Sequence, residues 1–320
     1  MGQQTTYRLS VVDPSEVTPG DIEAAASRID TFVRQTPTLE LGRIISDEFT
    51  LTLKLEHLQV TGSFKPRGAF SILTATEVPP SGVVAASGGN FGIAVAFAAF
   101  RLGHRATVFV PETSPPEKIE RIGAYGADVR VIPGYYDEAL TASELFAAET
   151  GACRAHAYDQ PEVMAGQGTL AREIEKQLPV DVVLCAVGGG GLIGGIASWF
   201  RDRVRVVAAE PELCRSFNAA LEAGHPVEVD VSGVAASSLG ARSVGHHPWR
   251  ARTWIDDSVL VSEEEIVEAQ RWLWAESRLA VEPAAATPLA ALRTGAFRPD
   301  PGANVVVVLS GGNVDPGSVV

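Results

Sequence analysis

Lys65 lies in Ser63-Phe64-Lys65-Pro66-Arg67-Gly68 and is one of four lysines in 320 residues. The glycines and proline around it mark a turn. A scarce amine in such a setting can capture a carbonyl group once burial lowers its pKa. A solvated loop lysine is the alternative, since lysines are mostly exposed. The second chemical feature is Gly188-Gly189-Gly190-Gly191-Leu192-Ile193-Gly194-Gly195, directly after the apolar run Val182–Val187. A strand, glycines and a helix in that order make a phosphate cradle. Backbone N–H groups approach an anion with no Cβ in the way, and the helix start carries about half a positive charge. Four consecutive glycines would otherwise each cost ~1 kcal/mol in chain entropy with nothing gained.

One tetrapeptide occurs twice. Ser87-Gly88-Gly89-Asn90 follows the run Val83–Ala86, and Ser310-Gly311-Gly312-Asn313 follows Val305–Leu309. Each sits where a parallel strand ends, which is where ligands gather in open α/β sheets. Backbone N–H groups at a helix start suit a carboxylate. The Ser and Asn side chains suit a heteroaromatic ring.

A rival reading uses the same glycines. Gly189-x-Gly191-x-x-Gly194 satisfies a dinucleotide fingerprint, and Glu210 ends the next strand at about the distance of a ribose-binding acid. A nicotinamide dehydrogenase therefore stays open. Against it, the motif lies mid-chain, no paired His and Asp offers hydride-transfer chemistry, and the other motifs go unexplained. A P-loop is excluded, because no Gly-Lys-Ser/Thr follows.

The elements that must position these residues alternate in type. Strands are expected at Leu51–Leu55, Val83–Ala86, Ala106–Val110, Asp128–Ile132, Val182–Val187, Val204–Ala209 and Val305–Leu309. Several are continuously apolar, as in parallel strands buried on both faces. Thr18-Pro19-Gly20-Asp21 starts a helix with a cap and a first-turn proline. Ile93–Leu102 is an apolar helix, and Ser262 with Glu265 forms a capping box. The alternation predicts an α/β fold with parallel-rich sheets flanked by helices. A large domain formed by residues 1–80 and 156–320 and a small domain of 81–155 are expected. Pro79-Pro80-Ser81-Gly82 is the way into the second and His156–Pro161 the way out.

A net charge of -13 excludes a nucleic-acid partner, which needs clustered Lys and Arg. Three cysteines with no metal spacing fit a reducing compartment. Met1–Asp13 has no apolar core of a signal peptide, and the longest strongly apolar run is too short to span a bilayer. A cytoplasmic protein is expected. His246-His247 lacks ligand partners at metal spacing and reads as surface, and His57 as a strand-end residue.

Taken together, the four motifs resemble fold-type-II pyridoxal-phosphate enzymes, whose architecture is like that of the tryptophan synthase β chain. The nearest group is the threonine/serine dehydratases and serine racemases. Thr36-Pro37, Pro111-Glu112-Thr113, Tyr125-Gly126-Ala127, Ala165-Gly166-Gln167-Gly168-Thr169 and Glu282-Pro283-Ala284 extend the likeness over roughly residues 15–315. The resemblance implies a Schiff base on Lys65, with Phe64 flanking the ring. It implies Asn90 on the cofactor's phenolic oxygen and Gly188, Gly189, Gly190, Gly191 and Leu192 on its phosphate. Ser310 would meet the pyridine nitrogen and Glu282 would stand near the cofactor. The loop of Ser87, Gly88, Gly89 and Asn90 would take the substrate carboxylate.

The implied reaction is β-elimination of a hydroxy amino acid, L-threonine or L-serine, to a 2-keto acid and ammonia, in a homodimer. A β-replacement synthase, an amino-acid racemase and a non-catalytic pyridoxal-phosphate carrier are the alternatives. Racemases of this family use a serine where Gly88 stands, so little racemisation is expected. Phe91 replaces the usual histidine, which reshapes the pocket and leaves the preferred side chain open. Glu210 matches one half of a divalent-cation site found in some relatives, but Pro211–Ser216 lacks the second acid. The chain ends soon after the last motif, which implies a short, catabolic form without a regulatory domain.

Overall fold

The computed structural model describes residues 16–315 and residue 317. Met1–Asp13 therefore lies outside the described residues. In chain order the elements are α1 (Pro19–Ile29), β1 (Thr38–Gly42), β2 (Thr50–Lys54), α2 (Lys65–Ala75), β3 (Val83–Ala86), α3 (Asn90–Leu102), β4 (Ala106–Pro111), α4 (Pro116–Ala124), β5 (Asp128–Ile132), α5 (Tyr136–Thr150) and β6 (Cys153–Arg154). There follow α6 (Pro161–Gln177), β7 (Val182–Ala186), α7 (Gly191–Phe200), β8 (Arg205–Pro211), α8 (Ser216–Ala223), α9 (Ala236–Leu239), α10 (His246–Arg250), β9 (Asp257–Val261), α11 (Glu263–Ser277), α12 (Pro283–Thr294) and β10 (Asn304–Val308).

The strands form two sheets. One has six strands in the order β1-β2-β10-β7-β8-β9, and the other has four in the order β5-β4-β3-β6. Every described strand pairing is parallel except β1 with β2. The apolar runs behave as parallel strands should: β3 and β7 are buried along their whole length. Apolar residues cover both faces of the six-stranded sheet. Val183, Cys185, Val206 and Val306 lie in one core with α1, α6 and α7. Leu51, Leu184, Val207 and Val305 lie in the other with α11 and α12. Helix α2 packs its Ala69, Phe70 and Leu73 into the core under β3 and α3.

Local signals act as expected at two helix starts. Thr18 and Asp21 close a capping box on α1, and Ser262 and Glu265 close one on α11. The expected strands are all present, with boundaries shifted by up to two residues. Sequence periodicity missed β1, β6 and β9. β1 and β9 are sheet edges, half-buried with mixed composition, and β6 is only two residues long. Helix α3 begins at Asn90 rather than Ile93, so the whole first tetrapeptide leads into a helix start. Among the described residues, no helix is long and apolar enough to cross a membrane.

Candidate active site

Lys65 is the first residue of α2, so the expected turn is a helix start, with Pro66 in the first turn where its fixed φ fits. The chain reaches this point through a sharp reversal. Thr61 has φ 64 and Gly62 has φ 81, and a Cβ on Gly62 would stand 2.4 Å from Asn313 Oδ1. Ser63 then pairs with Gly311 as an isolated bridge, and Phe64 N–H donates to Ser310 O at 3.0 Å. The lysine loop is thus fastened directly to the second tetrapeptide.

The two tetrapeptides meet each other as well. Asn313 Nδ2 donates to Asn90 Oδ1 at 2.8 Å, and Asn90 Nδ2 donates to Glu282 Oε2 at 2.8 Å. Glu282 N–H donates to Gly311 O at 3.0 Å. Burial raises the Glu282 carboxyl above its ordinary range, opposed by Lys118, whose Nζ lies 3.7 Å from Oε1, and by Asn90. Arg121 completes the group by donating to Asn313 Oδ1 at 2.6 Å. Residues from α3, α4 and the ends of both sheets therefore converge here.

The Lys65 amine lies 5.0 Å from the Phe64 ring centroid and 5.5 Å from that of Phe91. Burial between these rings lowers its pKa to about 8, and Glu282 resists only in part. Nζ donates to Ala157 O at 2.9 Å. The next residue, Tyr158, lays its ring over the glycine loop, where a Cβ on Gly189 would meet ring carbons at 2.4 Å. Ala157 and Tyr158 thus connect the amine to the glycines.

That loop runs from β7 to the start of α7. Gly190 has φ 90, and no side chain caps α7. The unsatisfied N–H groups of a helix start therefore face a loop without side chains, as an anion cradle requires. Leu192 is buried in the core behind it. A lowered amine between two aromatic faces, a glycine cradle and a Ser310 hydroxyl on the loop fastened to the lysine suit a phosphorylated aromatic aldehyde.

Residues 29–311 match the family model described as pyridoxal-phosphate dependent enzyme. The chain belongs to this family. As a pyridoxal-phosphate-dependent enzyme it is 39% identical over 303 residues to an L-threonine ammonia-lyase of Geobacter sulfurreducens, covering 92% of this chain and 75% of that one. It is 38% identical to a putative threonine dehydratase of Sinorhizobium fredii, covering 92% of each. The threonine deaminase of T.th. superposes with TM-score 0.84 and 35% identity, over 93% of this chain and 99% of that one. Maize serine racemase superposes with TM-score 0.89 and 29% identity, over 95% of each. The fold is the fold-type-II architecture of these enzymes.

Glu210 stands apart from this gathering. Its two carboxylate oxygens accept from Phe217 N and Asn218 N at 2.8 Å, at the start of α8. Burial raises its pKa to about 8 against those two hydrogen bonds. The acid that a dinucleotide reading needs for a ribose is therefore engaged by backbone. Among the described residues no three His, Cys, Asp or Glu cluster as metal ligands. His246 and His247 open α10 rather than lying in a loop, and His57 sits in a helical turn after β2, held near pKa 4 by burial.

Sequence reasoning gave no role to Lys118, Arg121, Ala157 or Tyr158. Lysine scarcity was a usable signal for Lys118, since Lys54 and Lys118 are also buried. A backbone carbonyl such as that of Ala157 leaves no trace in residue type.

Proposed function

We propose that this enzyme eliminates water from a β-hydroxy amino acid, L-threonine or L-serine, to give a 2-keto acid and ammonia. The observation that carries the reading is the Lys65 amine, lowered to about 8, held between Phe64 and Phe91 and linked through Ala157 and Tyr158 to the glycine loop. The threonine ammonia-lyase and dehydratase relatives support the substrate class.

Pyridoxal phosphate, when bound, supplies an aldehyde for the substrate amine and a conjugated ring that takes up the electron pair left by Cα–H cleavage. Gly188–Gly191 and Leu192 would hold its phosphate at the start of α7. Asn90 would offer an amide hydrogen to the phenolic oxygen while still holding Glu282, and Ser310 would meet the ring nitrogen with a neutral hydroxyl. Ser87, Gly88, Gly89 and Asn90 would orient the substrate carboxylate at the start of α3. Lys65, as a neutral amine, would remove the Cα proton, a step typically worth ~10²–10⁴-fold. The β-hydroxyl would leave as water, taking up a proton equivalent to the one that Lys65 removes from Cα. The enamine product then takes up water and yields the keto acid and ammonia. Glu282, raised by burial and held by Asn90 and Lys118, keeps a proton-accepting group beside this chemistry.

We further propose that residues 1–80 with 156–320 form the large domain and 81–155 the small one. The four-stranded sheet supports this, since its strands come from residues 83–154. A cytoplasmic homodimer is the proposed form; the three unpaired cysteines support the reducing compartment.

The test is an absorption spectrum, then borohydride reduction with mass spectrometry, then a panel of hydroxy amino acids assayed for keto acid and ammonia. A visible cofactor band, an adduct on Lys65 and elimination from threonine or serine are expected. Colourless protein that takes up no pyridoxal phosphate overturns the reading. Product that appears only with an added thiol points to β-replacement instead.

A further inference from the structure

Ser114 lies between β4 and α4, outside every motif assigned above, yet its side chain enters the first tetrapeptide. Its Oγ is 1.7 Å, and its Cβ 2.5 Å, from the point where a Cβ on Gly88 would stand. The Ser114 side chain therefore fills the volume that residue 88 leaves empty. Backbone fixes it there. Ser114 N–H donates to Pro111 O at 3.0 Å, and Pro115 and Pro116 follow at the start of α4. The residue is only 9% exposed, and its hydroxyl makes no hydrogen bond with the described residues.

The hydroxyl is unpaired yet not sealed from solvent, so it can donate to a ligand that enters beside Gly88. The local field says which kind. Helix α3 starts at Asn90 with Gly89 at its cap position and no side chain capping it. Its first N–H groups and the positive end of its dipole face this loop. An acceptor with negative charge is what this combination of donors fits.

We propose that Ser114 is a substrate-binding residue that donates a hydrogen bond to the α-carboxylate of the amino-acid substrate. The proposal rests on the eliminase reading, in which Ser87–Asn90 takes that carboxylate. In this chain Gly88 and Ser114 act as a pair. The glycine makes the opening, and the serine delivers into it a hydroxyl anchored on a different loop. An alanine at 88 would exclude that hydroxyl.

The experiment compares wild type with Ser114→Ala and the near-isosteric Ser114→Cys, all loaded with pyridoxal phosphate. Loading is read from the visible band, which also reports folding. Binding of L-alanine, which has no leaving group, is read from the change in that band, and KM and kcat are taken with L-threonine. Both variants should load the cofactor normally and bind L-alanine roughly ten- to a hundred-fold more weakly, the size of one lost hydrogen bond to a charged acceptor. The loss should appear in KM more than in kcat. L-Alaninamide, whose carboxylate is neutralised, should lose less than about three-fold. Wild-type affinity in Ser114→Cys would reduce the residue to a space-filler and overturn the proposal. So would equal losses for L-alanine and its amide. A wild-type protein that stays colourless overturns the underlying reading, and this one with it.

Discussion

At the residue scale, the proposed elimination rests on two groups. Lys65 attacks an aldehyde only as the neutral amine, and burial lowers its pKa from 10.5 to about 8. The neutral fraction rises ten-fold per pH unit below that value and levels off above it. Uptake of pyridoxal phosphate by cofactor-free protein, followed by absorbance, should speed up with pH and flatten just above 8. A rate still climbing near pH ~10, as for an ordinary lysine, contradicts this. Ser310, in its proposed place at the ring nitrogen, would act through what it lacks. A neutral hydroxyl cannot hold the ring nitrogen protonated as a carboxylate would, so the electron sink is weak and prompt loss of the β-hydroxyl is favoured. Ser310→Asp should raise transamination and Cα reprotonation relative to elimination, measured as product ratios by NMR in deuterated water. An unchanged ratio would count against that role.

At the scale of elements, the enzyme depends on how helices begin. The starts of α2, α3 and α7 present the lysine, the first tetrapeptide and the glycine cradle. Residue 190 takes a left-handed conformation, with φ 90 and ψ -5, to turn β7 into α7. A Cβ there would meet Pro248 Cβ at 2.7 Å and Val244 Cγ2 at 3.0 Å. Gly190→Ala therefore carries a backbone cost of ~1–2 kcal/mol as well as two collisions. Pyridoxal phosphate affinity should fall more than about ten-fold in an absorbance titration, since each ~1.4 kcal/mol is one decade. Retained affinity would show that the phosphate sits elsewhere.

At the scale of the whole molecule, a buried ionic network ties the start of α2 to β2 and α6. Arg67, two residues after the lysine, donates to both oxygens of buried Glu56 at 2.7 and 2.8 Å and to Glu173 on α6 at 2.9 Å. Lys54 on β2 donates to Glu173 at 2.5 Å and to Thr36 O at 2.8 Å. Burial alone would raise the Glu56 carboxyl, but the Arg67 guanidinium holds it below the usual range. The sign follows from that depression. Glu56 contributes stability above the unfolded carboxylate pKa of ~4.3, and the contribution is lost as pH falls through the lower folded value. Arg67→Met leaves Glu56 buried without its counter-charge and should cost ~3–5 kcal/mol in urea unfolding. It should also remove part of the stability gained between acid and neutral pH. A variant with unchanged urea midpoint would mean that water already screens the pair.

The sequence by itself determined the enzyme family and most of the strands. Lys65, the glycine run and the paired tetrapeptides are local patterns, and each is legible because its function depends on residue type at fixed short spacing. Buried parallel strands such as β3, β7 and β10 are equally legible, since continuous apolar runs follow from burial on both faces. Edge strands β1 and β9 were not, because a half-buried edge leaves no clear period. Only the tertiary structure decided which distant residues share the site. It brought Asn313 to Asn90, Lys118 to Glu282 and the carbonyl of Ala157 to Lys65. It also engaged Glu210 with the backbone of α8 and put the Ser114 hydroxyl in the space beside Gly88. All but the Glu210 contacts span long sequence separations. They depend on how helices pack between two sheets, and no local pattern encodes that.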